Sequence, residues 1–134
     1  MTLYLDTSAV VAVCLDIPAR PVVLQAMAGD GDWCTAALTL TEALALAPKL
    51  SDEAAIQREF EDAVRLLWDR IAVIPIDQRC LDRATILMRA QTLRLADALH
   101  VAAADRLPRP VRFVTFDAPQ IPIALAAGFE LVST

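Results

Sequence analysis

Two rhythms of apolar residues run along this chain. Leu3 to Leu5, Ile71 to Ile76 and Val111 to Phe116 are short stretches that are apolar at nearly every position, the pattern of strands buried on both faces. From Ser51 to Ile71, by contrast, Glu, Arg and Asp alternate with Ala54, Ile56, Phe60, Val64, Leu67 and Trp68 at a period close to 3.6, which predicts an amphipathic helix. Thr7 or Ser8 can cap the run SAVVAVCL as a helix after the first strand. Pro18 and Pro21 suit the start of a second helix through about Ala28, closed by AGDGD. DWCTAA predicts a brief strand, and LTLTEALALA a helix that Pro48 stops. Residues 78 to 92 and 95 to 107 predict two more helices, and PQIPIALAAG leads into a last strand, FELVS.

Strands apolar on both faces and separated by helices imply a parallel sheet between helical layers, hence an α/β fold. In such sheets the ligand crevice lies beyond the carboxyl ends of the strands. Asp6 follows LYL directly and Asp117 follows VRFVTF directly, so both stand at that edge. Glu42 and Asp97 lie at or near predicted helix starts, likewise in apolar sequence. Each of these acids has an ordinary structural reading. Glu42 follows Thr39 at the spacing of a capping box, and Asp97 suits the first turn of a helix, where the dipole favours negative charge.

Asp97, in LRLADALH, raises the sharpest question, because a carboxylate in apolar surroundings is costly unless it is paired, hydrogen-bonded or on a metal. Four carboxylates converging on one sheet edge would repel one another, and a divalent cation removes the conflict. Oxygen ligands without a His or Cys cluster select a hard ion, Mg²⁺ or Mn²⁺, over zinc or copper.

Composition narrows the chemistry further. With 134 residues, one domain spanning residues 1–134 is expected, and at 57% hydrophobic residues it must hide much helix surface inside or against a partner. Charged residues interrupt every apolar run, so no membrane span is expected, and the start of the chain lacks the pattern of a secretory signal; the cytoplasm is the expected location. Cys14, Cys34 and Cys80 are widely spaced in apolar sequence and read as buried hydrophobes. A single histidine, His100, excludes a two-histidine acid–base nuclease within one chain. It stands one helical turn after Asp97 and reads as packing between helices, with a contact to phosphate or to Asp97 as the other reading. Net charge is −5, the wrong sign for bulk electrostatic binding of nucleic acid, although Arg79, Arg83, Arg89 and Arg94 crowd one segment and Arg106, Arg109 and Arg112 another. Trp68 lies on an apolar stripe and reads as core or interface; Trp33 could stack a base.

LYLDTSAVV, TLTEALALA, LRLADALHVAAA and VRFVTFD followed by ALAAGF resemble, in order and spacing, the successive motifs of PIN-domain ribonucleases, in particular the VapC-type toxins of bacterial toxin–antitoxin pairs. The resemblance spans nearly the whole chain. It implies a three-layer α/β/α sandwich with a central parallel sheet of four to five strands, and cleavage of single-stranded or loop RNA with Mg²⁺ or Mn²⁺. By motif, the family's acids fall on Asp6, Glu42, Asp97 and Asp117, with Ser8 and Thr115 at hydroxyl positions that orient ligands or waters. Asp6 and Asp97 are expected as the principal metal ligands, with Glu42 and Asp117 binding directly or through water. The resemblance also implies a homodimer and a cognate antitoxin that covers exposed apolar surface.

Other acid-bearing parallel sheets fit less well. A phosphoacceptor receiver needs adjacent acids after its first strand and a lysine near its last, whereas Asp6 is alone and Lys49 is misplaced. A haloacid-dehalogenase-type phosphatase begins with DxDx[TV], whereas Asp6 is followed here by Thr7 and Ser8. A catalytically silent PIN-like interaction module is the remaining alternative.

Overall fold

In a computed structural model describing residues 1–134, five strands form one sheet in the order β3-β2-β1-β4-β5, every neighbouring pair parallel. In chain order the elements are β1 (Thr2–Leu5), α1 (Thr7–Val13), α2 (Arg20–Gly29), β2 (Asp32–Ala36), α3 (Leu38–Leu50), α4 (Ala54–Trp68), β3 (Ala72–Ile74), α5 (Gln78–Ala90), α6 (Leu95–Ala104), β4 (Val111–Val114), a 3₁₀ turn (Ala118–Gln120), α7 (Ile121–Ala126) and β5 (Glu130–Val132). The chain starts in the middle of the sheet, builds outward through β2 to β3, then returns to β1's other side with β4 and β5. The strand order therefore reverses between β1 and β4, and a crevice opens at their carboxyl ends.

Alternation along β1 sends its side chains to two cores. Tyr4 joins Phe113, Cys80, Ala84 and the small residues of α6 on one face, while Leu3 and Leu5 join Ala9, Val10, Val23, Met27 and Leu67 on the other. Helices therefore cover both faces, and the fold is the three-layer α/β/α sandwich expected. On the first face Tyr4 stacks on Phe113 at 5.0 Å between ring centroids, and Phe113 on Phe129 at 5.7 Å. A smaller core of Ala43, Ala47, Phe60 and Val64 joins α3 to α4. No helix is long and apolar enough to cross a membrane.

Three local expectations are corrected, and one stretch given no element by the pattern is defined. The cap of α1 is Asp6, whose carboxylate accepts the Ala9 N–H, and neither Thr7 nor Ser8 fills that position. Pro48 lies inside α3, which runs on to Leu50; so near the end of a helix, the hydrogen bond a proline forfeits is one of the last few. The stretch after Asp117 is helical, a 3₁₀ turn leading into α7, because Pro119 and Pro122 both occupy first-turn positions where a missing N–H costs nothing. Ile56 is exposed although it stands one turn before Phe60 on the stripe that continues to Val64 and Leu67, because it lies in the first turn of α4.

Candidate active site

Helix α6 supplies the centre of the site. Every residue from Asp97 to Ala104 is buried, and small side chains at Ala98, Ala102, Ala103 and Ala104 let the helix sit close against the sheet. Such a helix has no polar face to spare, so Asp97 in its first turn is carried into the interior, 2% exposed. Its charge is met by Arg94, which is the N-cap of the same helix. The Arg94 Nε donates to Asp97 Oδ2 at 2.9 Å and its Nη2 to Oδ1 at 3.2 Å. Gln120 adds a longer bond to Oδ1 at 3.4 Å. The compensation expected of a metal ion is thus made here by a guanidinium.

The same Arg94 Nη2 donates to Asp117 Oδ2 at 3.0 Å, so one cation bridges two acids. Burial raises the Asp117 pKa, the negative charge of Asp97 adds to the rise, and Arg94 opposes both.

Asp6 sits at the end of β1, 1% exposed. Its Oδ1 accepts from Ser8 Oγ at 2.6 Å and from the Ala9 N–H at 2.9 Å, and its Oδ2 accepts from Thr115 Oγ1 at 2.6 Å. Burial raises its pKa, against the pull of His100 and these donors. Ser8 and Thr115 also accept from the backbone N–H groups of Phe116 and Asp117, at 2.9 and 3.0 Å. The two hydroxyls thereby pin the ends of β1 and β4 together while orienting Asp6.

Glu42 arrives from α3. The capping box does not form: the N-cap of α3 is Ala37, and the Thr39 hydroxyl pairs with Thr35 Oγ1 at 2.7 Å. Freed from that duty, Glu42 Oε1 accepts from Thr7 Oγ1 at 2.6 Å and from His100 Nε2 at 2.8 Å. Burial raises its pKa, but bonds from His100 and Thr7 outweigh burial and leave it lowered. His100, 1% exposed, is bonded on its other nitrogen to the Tyr4 hydroxyl at 2.7 Å.

Thr7, Ser8, Glu42, Arg94 and Asp117 are polar residues lining a cleft of about 490 Å³, which Val11, Ile17, Leu46 and Phe116 also line. A second cleft of about 500 Å³, lined by Gln91, Asp97, Pro119 and Pro122 among others, shares Arg94 with the first. Asp97 and Asp117 are thus brought together across Arg94, Asp6 is tied to the Asp117 backbone through Thr115, and Glu42 lines the first cleft. No three acid, histidine or cysteine side chains are arranged to enclose a metal ion as they stand. The donor chemistry nonetheless fits a hard dication, since two carboxylates already share one cation and all candidate ligands are carboxylate oxygens.

Sequence reasoning placed Arg94 only in a basic segment and read His100 as packing. Helical spacing from Asp97, three residues before and three after, is the signal that links both to the site. Tyr4 carried no such signal, being one apolar-looking position within a strand.

Comparison with known proteins adds three findings. The PIN domain family model matches residues 3–124. Ribonuclease VapC47 of Mycobacterium tuberculosis (strain CDC 1551 / Oshkosh) is 28% identical over 136 residues, covering 98% of this chain and 96% of that protein. Among solved structures, DNA-bound VapBC from Salmonella typhimurium superposes with a TM-score of 0.72 at 16% identity, over 99% of this chain and 98% of that one. VapC20 of Mycobacterium tuberculosis, a toxin that cleaves the sarcin–ricin loop, gives 0.70 at 14% identity over 91% and 95%.

Proposed function

The chain belongs to the PIN domain family, and on that premise we propose that it is a metal-dependent endoribonuclease toxin that hydrolyses single-stranded or loop RNA and is neutralised by a cognate antitoxin. The observation that carries the reading is the Asp97–Asp117 pair sharing one cation at the point where the sheet reverses its strand order. A relative named as a ribonuclease supports the substrate class, and a neighbour solved as a VapBC pair supports the antitoxin.

Asp6 and Asp97 would hold Mg²⁺ or Mn²⁺, with Glu42 and Asp117, which already shares a cation with Asp97, as further ligands directly or through water. Bound there, such an ion would supply a water of lowered pKa and charge to polarise a phosphoryl oxygen. Hydrolysis of this kind would break the P–O3′ bond, leaving a 5′-phosphate and a 3′-hydroxyl without using the 2′-hydroxyl. Ser8 and Thr115 keep Asp6 in one orientation. Arg94, the one basic residue lining the cleft beside Glu42, presents donors suited to a phosphate oxygen. The cytoplasm, where RNA is met, is the proposed location. Leu66, Ile86, Leu95 and Leu125, each more than half exposed, fit surface shared with a second copy and with the antitoxin. A homodimer is therefore expected in solution, and a monomeric elution profile at micromolar concentration would remove that part of the proposal.

The test is Mn²⁺ titration by calorimetry together with RNA cleavage in the presence and absence of EDTA. Metal binding with EDTA-sensitive cleavage supports the enzyme. The pairing of Arg94 with both acids favours one other reading, a catalytically silent interaction module whose acidic site is closed by its own arginine. Intact folding with neither Mn²⁺ binding nor cleavage would establish that reading instead.

A further inference from the structure

Tyr4 lies in the middle of β1 and is completely buried, yet it is a tyrosine where a phenylalanine would fill the same core against Phe113. A buried hydroxyl is costly without a partner. The partner is His100 Nδ1, at 2.7 Å across 96 residues of sequence. Following the protons outward gives the pair a direction. An ionised carboxylate can only accept, so at 2.8 Å from Glu42 Oε1 the His100 Nε2 carries a hydrogen, which it also shares with Thr7 Oγ1 at 3.0 Å. A neutral imidazole protonated on Nε2 must accept on Nδ1, and Tyr4 is then the donor. Burial, followed by the charges of Asp6 and Glu42, pushes the Tyr4 hydroxyl well above its ordinary range, which keeps that proton in place.

We infer that Tyr4 and His100 are positioning residues for Glu42: a buried relay from β1 through α6 to α3 that fixes the imidazole in its Nε2–H form and thereby sets the carboxylate at the cleft. The inference rests on the reading of Glu42 as part of the proposed nuclease site. Both His100 and Thr7 donate to the same oxygen, Oε1. Oε2 is left for a cation or a water in the cleft that Glu42 lines. The arrangement resembles the way metal-binding groups generally depend on the partners that orient them, whose loss costs about 10–100-fold in affinity or activity. It also explains why a polar pair lies within an otherwise apolar core: its far end emerges where chemistry is proposed.

Because His100 is the only histidine, its imidazole ¹⁵N resonances are unambiguous. In metal-free protein they are expected to show the Nε2–H tautomer, and Tyr4→Phe is expected to shift them toward a mixture of the two. An Nδ1–H tautomer in the unaltered protein would overturn the inference without any appeal to activity. Kinetics and Mn²⁺ calorimetry then compare Tyr4→Phe, His100→Gln, His100→Leu and Glu42→Gln, each checked for a retained melting transition. His100→Leu is expected to lower kcat or Mn²⁺ affinity roughly 10–100-fold. His100→Gln is expected to recover much of it, because its amide can donate to Glu42 and accept from Tyr4. Loss in Glu42→Gln beside full activity in His100→Leu would overturn the inference alone. Full cleavage by Glu42→Gln would overturn the reading of Glu42, and the inference with it.

Discussion

Arg94 grips Asp97 at two points, 2.9 and 3.2 Å, across a single helical turn, with one partner largely in solvent and the other 3% exposed at its side chain. An exposed arginine thus neutralises a buried acid, and it does so in the place where the proposed catalytic ion must bind. A guanidinium and a dication cannot both take the same carboxylate oxygens, so they compete.

Arg94→Gln is therefore expected to bind Mn²⁺ more tightly than the unaltered protein. In EDTA its melting temperature falls, because Asp97 and Asp117 are left facing each other, and Mn²⁺ raises it by more than it raises that of the unaltered protein. Calorimetry and thermal denaturation with and without metal decide the point. Equal or weaker Mn²⁺ affinity in the variant would show that Arg94 helps to build the metal site instead of occupying it.

Asp97→Asn is expected to abolish cleavage, a loss of roughly 100-fold or more, since a direct ligand matters at least as much as the group supporting it. The fold survives, because an amide in this position can still accept from Arg94 and Gln120. Circular dichroism and the melting curve verify folding, and end-labelled RNA gives the rate. Metal-dependent cleavage at the normal rate would remove Asp97 from the mechanism.

Ala102 is fully buried in α6, within the core shared with Tyr4 and Phe113. Ala102→Leu adds volume to a closed interface and is expected to cost ~1–3 kcal/mol of stability. Since α6 carries Asp97 and His100, the variant should lose cleavage in parallel with its loss of stability in urea denaturation. A variant as stable as the parent would mean that the helix stands further from the sheet than described.

Asp77 caps α5, accepting the Cys80 N–H at 3.2 Å and pairing with Arg106 at 2.8 Å. Its pKa is lowered, first by the backbone bond and then by Arg106. An acid with a lowered folded value stabilises the fold above its ordinary pKa and ceases to do so as pH falls through the lowered one. Asp77→Ala is accordingly expected to melt below the unaltered protein at pH 7, with the gap closing under acid conditions. A gap independent of pH would assign the effect to packing.

Much of the architecture was legible because strand and helix periods differ so clearly: VRFVTF and the stripe through Phe60, Val64 and Leu67 each permit one reading. The acids at strand ends were legible for the same reason, since Asp6 and Asp117 interrupt apolar runs at a parallel sheet's carboxyl edge. Capping details were not. Asp6, Thr7 and Ser8 are all competent caps, and which one serves depends on Thr115 and Glu42, residues that local sequence does not place nearby. The Tyr4–His100 bond was invisible for a related reason: one polar atom on a core side chain leaves the hydrophobic pattern unchanged. The partner of Asp97 lay only three positions away, a helical spacing that permits the pair without singling this arginine out from the other basic residues nearby.

Pairing of β1 with β4 has a consequence for the life of the molecule in the cell. Asp6 leaves the ribosome early, and Thr115, which holds it, is made 109 residues later. A nascent or prematurely terminated polypeptide therefore carries the first acid without the strand that orients it. Under the proposed function, RNA cleavage can begin only after translation has nearly finished.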